Sequence, residues 1–91
     1  MTQTDSAVPH DYQANFSVLL TSIASSAVIS MGLAPNPQNN QTEKDKPLAR
    51  FNIDLLMVLK DKTKGNLSAD ETQFLDALLS DLQMKFVQMR D

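Results

Sequence analysis

The residues that could do chemistry are few and poorly assembled. His10 is the one histidine of the chain and lies in a polar opening stretch. A Ser–His–acid triad would have to recruit it from outside any regular element. Asp70 with Glu71, and Asp76 with Asp81, are paired carboxylates of the type that general acid–base catalysis uses. The first pair sits where acids stabilise a helix start, and the second lies on a face meant for water. There is no cysteine, and neither His/Cys ligand spacing nor the alternating acidic loop of an EF-hand occurs. No catalytic residue, cofactor or metal ligand is expected, and so no enzyme.

One segment has unusual surface character: "KDKTKGNLS", residues 60–68. Its lysines lie beside a helix start, where free amides favour anions. It is not a P-loop, because lysine precedes glycine and no strand leads in. A helix stop, a turn and a capping box already account for Gly65, Asn66 and Ser68. The functional alternative is contact with a partner protein through Lys60, Lys62, Lys64, Gly65 and Asn66, joined by Ile53 and Met57 of the preceding helix.

The elements that must position these residues are helical. Leu, Ala, Met, Gln and Asp recur at helical spacing, and two glycines, one tyrosine and no tryptophan do not suggest a sandwich or barrel. An all-α chain of three helices is predicted, at about 15–31, 46–63 and 69–90. Asn15, Asp45 and Ser68 are the expected N-caps, with Ser68 and Glu71 as a capping box. Gly32 and Gly65 are the expected stops. Residues 1–14 read as a flexible tail and 15–91 as one helical domain, with a Pro/Asn-rich linker at 33–45. The short "KGNLS" connection predicts that helices two and three form an antiparallel hairpin, with helix one packed across it.

At about 100° per residue, Leu75, Leu79, Leu82, Phe86 and Met89 share one stripe of helix three, widened by Phe74 and Leu78. On helix two the main stripe reads as Leu48, Phe51, Leu55, Val58 and Leu59, with Ile53, Leu56 and Met57 on another side. On helix one Phe16, Leu19, Leu20, Ile23, Ala27 and Met31 form a broad arc. Opposite lie Ser22, Ser26 and Ser30 at intervals of four, a small-residue ridge that admits a close second backbone. This is more apolar surface than one hairpin covers. A homodimeric bundle is expected, its contact formed by Val18, Ser22, Ser26, Ile29 and Ser30.

Helix one carries no charge and, at about 27 Å, has nearly the length of a membrane span. Its serines dilute it, and no Lys or Arg flanks it, the nearest being Lys44. A buried core helix is the expectation. The opening residues lack the basic start of a secretory signal, and a cysteine-free chain fits a reducing compartment, so a cytoplasmic location is expected. The net charge of −3 argues against nucleic acid.

The stretches "FSVLLTSIASSAVISMG", the Pro-Asn-Pro linker and "LLMVLKDKTKGNLSADETQFLDALLSDLQMKFV" resemble a bacterial family of small proteins, domain of unknown function 1844, over about residues 15–87. The resemblance implies a short, helical, non-catalytic bacterial protein and supplies no active-site residues. The leading expectation is a homodimeric helical adaptor that binds another protein in a signalling, polarity or motility assembly. A regulatory subunit of an enzyme or small GTPase is the second reading. Peripheral membrane association through helix one is the third.

Overall fold

The computed structural model describes residues 14–89. The tail expected at 1–14, His10 included, lies outside them except for Ala14. Among the described residues, three helices and no strands make the fold all-α: α1 (Phe16–Ser30), α2 (Lys46–Lys62) and α3 (Ala69–Val87). Each helix begins where its cap predicts. The Asn15 side chain accepts from the Val18 N–H, and Asp45 accepts from Leu48. Ser68 and Glu71 form the reciprocal capping box. Pro47 falls in the first turn of α2, where its missing N–H costs nothing. Gly32 and Gly65 take φ of +76° and +85° just beyond the ends of α1 and α2, the left-handed region open to glycine. α3 ends at Val87, three residues short of the expected 90.

The three helices all pack against one another. Leu20, Ala24, Ala27 and Met31 come from the first, Ala49, Ile53 and Leu56 from the second, and Leu75, Leu79 and Leu82 from the third. Phe74, Leu78, Phe86 and Met89 pack against this cluster from its edge, so the stripe predicted on α3 is the buried one.

On α2 the predicted stripe is not the buried one. Ala49, Asn52, Ile53 and Leu56 face inward; of the predicted stripe only Leu59 packs against the core, whereas Leu48, Phe51 and Val58 are exposed and Leu55 is half-buried. The buried face carries the small side chain of Ala49, which is fully buried. An alanine lets a neighbouring helix approach closely, and Ala24 and Ala27 of α1 lie in the same core. On α1, Leu19 also turns out to water.

The segment between α1 and α2 is held by its own hydrogen bonds. The Asn36 N–H donates to the Gln41 carbonyl at 2.8 Å, and the Asp45 N–H to the Ser30 carbonyl at 2.7 Å. Asn36 and Asn39 side chains accept from the amides of Gln38 and Gln41, the local bonding for which asparagine is favoured in turns. Asn40 takes φ of +57° there, a conformation asparagine tolerates.

Candidate functional site

The lysine turn and the α2 residues before it frame a groove between α2 and α3 of about 620 Å³. Met57, Lys60 and Lys64 line one wall, and Asp76, Leu79 and Gln83 the other. Lys60 Nζ lies 2.9 Å from an Asp76 carboxylate oxygen, both side chains about half exposed. Gln83 Nε2 lies 3.9 Å from Met57 Sδ. The groove therefore combines apolar contact from Met57 and Leu79 with charges of both signs.

The capping box narrows what this groove can do with an anion. Glu71 already accepts from the Ser68 N–H at 2.9 Å, and the Glu71 N–H donates to Ser68 Oγ at 3.1 Å. With Asp70 and Glu71 in the first turn, the start of α3 carries acid of its own, and Lys60 is paired to Asp76. Of the predicted partner-contact residues, Met57, Lys60 and Lys64 meet in the groove. Gly65 lines a smaller recess beside it with Thr63 and Leu67, and Lys62 and Asn66 are exposed nearby. Ile53 is corrected: it is 5% exposed and belongs to the core.

The predicted serine ridge is only partly a surface. Ser22 and Ser26 are exposed, and Val18 and Ile29 half-buried. Ser30 is corrected: it is 5% exposed, and its hydroxyl donates to the Ser26 carbonyl at 2.7 Å. Its own carbonyl is taken by Asp45. The Ser22 hydroxyl likewise bonds back to the Val18 carbonyl at 2.9 Å, a common way for a helical serine to satisfy itself. Ser26, Ile29 and Ser30 line a recess whose other walls are Asn36, Pro37 and Gln38 of the connecting loop, with Leu48 and Asn52 of α2. The loop thus occupies space beside the ridge that a second copy was expected to use.

The surface that the sequence reading missed is on α2. Leu48, Phe51 and Val58 are 45%, 56% and 53% exposed. The signal that could have found it is the set Ala49, Asn52, Ile53 and Leu56. It has the i, i+3, i+4, i+7 spacing of a core face, disguised by one alanine and one asparagine.

Among the described residues, no three His, Cys, Asp or Glu side chains gather closely enough to hold a metal ion. Nor is any helix there long and apolar enough to cross a membrane. Fold and site together define a small all-α protein whose distinctive features are a mixed-charge groove and an outward apolar helix face. The chain belongs to the DUF1844 family, a domain of unknown function, whose family model matches residues 13–88. No curated protein and no solved structure matches it.

Proposed function

We propose that this protein is a non-catalytic protein-interaction module, a homodimeric helical adaptor that binds another protein through the α2–α3 groove. The observation that carries the reading is the groove's lining. Met57 and Leu79 give an apolar floor, rimmed by Lys60, Lys64 and Asp76, the arrangement of an interface with an apolar centre and a polar rim. α2 and α3 act here as one antiparallel hairpin. Their cross-links run in opposite order, Lys46 over the Phe86 ring at 5.6 Å, Met57 beside Gln83, and Lys60 beside Asp76. The proposed setting is the bacterial cytoplasm, on the strength of the family resemblance and the cysteine-free chain.

Tagged protein recovered from its native cells, with co-purifying proteins quantified by mass spectrometry, tests this. The comparison is with a Met57→Glu, Lys64→Glu variant whose helical circular dichroism is unchanged. A protein enriched by the parent and lost from the variant supports the groove. Identical sets of co-purifying proteins overturn it.

A further inference from the structure

Leu48, Phe51, Leu55 and Val58 recur at intervals of three, four and three residues, the spacing with which two helices pair along a seam. Two other faces of the helix are already engaged. Ala49, Asn52, Ile53 and Leu56 face the core, and Met57 and Lys60 face α3. The seam presents roughly 300 Å² of apolar surface to water, comparable to the largest apolar patch of a small monomer, a patch that is often functional.

We infer that this seam is covered by the same seam of a second copy, the two α2 helices lying antiparallel across a two-fold axis. The inference rests on the homodimer reading above and moves the contact from α1 to α2. Two properties of the seam select a second copy. A two-fold contact must be complementary to itself, and a three-four-three spacing reads the same in both directions. Reversal sets Leu48 against Val58 of the second copy and Phe51 against Leu55 of the second copy. The flanking charges agree. Arg50 and Asp54 lie one turn apart on one flank, and neither has an ion-pair partner among the described residues. The same reversal brings each Arg50 toward Asp54 of the other copy. The two Asp54 carboxylates fall near the axis, bracketed by the two guanidinium groups.

Sedimentation equilibrium of the full chain tests the seam. The parent is expected at the mass of two chains. Phe51→Glu, or Val58→Lys should the first variant fail to fold, is expected at the mass of one with its helical signal intact. Arg50→Glu should weaken pairing about tenfold, and Arg50→Glu with Asp54→Arg should restore it. A parent that sediments as a single chain overturns both the homodimer reading and this seam. A pair that survives Phe51→Glu but is broken by Ser26→Leu overturns the seam alone and returns the contact to α1. Direction is read separately, since the chain has no cysteine of its own. Leu48→Cys chains mixed with Val58→Cys chains should cross-link on oxidation to a mixed pair. Efficient cross-linking of Val58→Cys chains to themselves instead would overturn the antiparallel arrangement.

Discussion

The backbone N–H of Asp45 donates to the carbonyl of Ser30 at 2.7 Å. The residue that caps α2 is thus tied to the residue that ends α1. Its side chain separately accepts from the Leu48 N–H at 3.1 Å. Asp45→Ala removes only the cap and should cost about 1 kcal/mol, whereas Asp45→Asn should cost little. Asp45→Pro removes the donor to Ser30 as well and forces φ away from its −136°, so it should cost more than alanine. Urea unfolding followed by circular dichroism ranks the three. Equal costs for alanine and proline would show that the tie to Ser30 contributes nothing.

The two glycines make a controlled pair. Both have positive φ, so alanine at either carries a penalty of about 1–2 kcal/mol. Beyond that they differ. A Cβ on Gly32 would lie 2.7 Å from Lys44 Cγ, while one on Gly65 meets nothing within 4 Å. Gly32→Ala should therefore lower the melting temperature more than Gly65→Ala. In a Lys44→Ala background that excess should shrink, because the crowded atom is gone.

Burial separates two apolar residues that look alike in sequence. Leu56 is fully buried in α2, and Met84 is exposed on α3. Leu56→Ala should cost about 2–5 kcal/mol through lost contact and a cavity. Met84→Ala should change stability by no more than about 0.5 kcal/mol. Comparable losses from the two would contradict the core as described.

The Lys60–Asp76 pair joins α2 to α3 at the groove, with both side chains in contact with water. A double-mutant cycle with Lys60→Ala and Asp76→Ala should return less than about 1 kcal/mol of coupling. The coupling should fall further in high salt, because solvent ions screen such pairs. A large, salt-insensitive coupling would mean that the pair is shielded from solvent.

Much of the architecture was legible because it is set by neighbours in the chain. A helix start depends on whether a side chain three residues back can reach a free amide, so Asn15, Asp45 and Ser68 mark the three starts unaided. A stop depends on one residue entering the left-handed region, which Gly32 and Gly65 do. The stripe on α3 was equally plain, since its large apolar residues share one face and its opposite face is polar apart from Met84.

α2 was not legible in this way. It carries two apolar stripes, and counting bulk favours the one with Leu48, Phe51, Leu55 and Val58. Which stripe is buried depends on the partners' shapes, and the small Ala49 lies fully buried in the core with Ala24 and Ala27 of α1. The burial of Ser30 was not legible for a related reason. Nothing in Ser30 itself indicates that Asp45, fifteen residues later in sequence, would return to its carbonyl. The sequence by itself therefore determined the helices and their ends, because local hydrogen bonds and backbone sterics decide them. Only the tertiary structure decided which faces the helices spend on each other and which remain for a partner, because packing is a property of fitted pairs of surfaces.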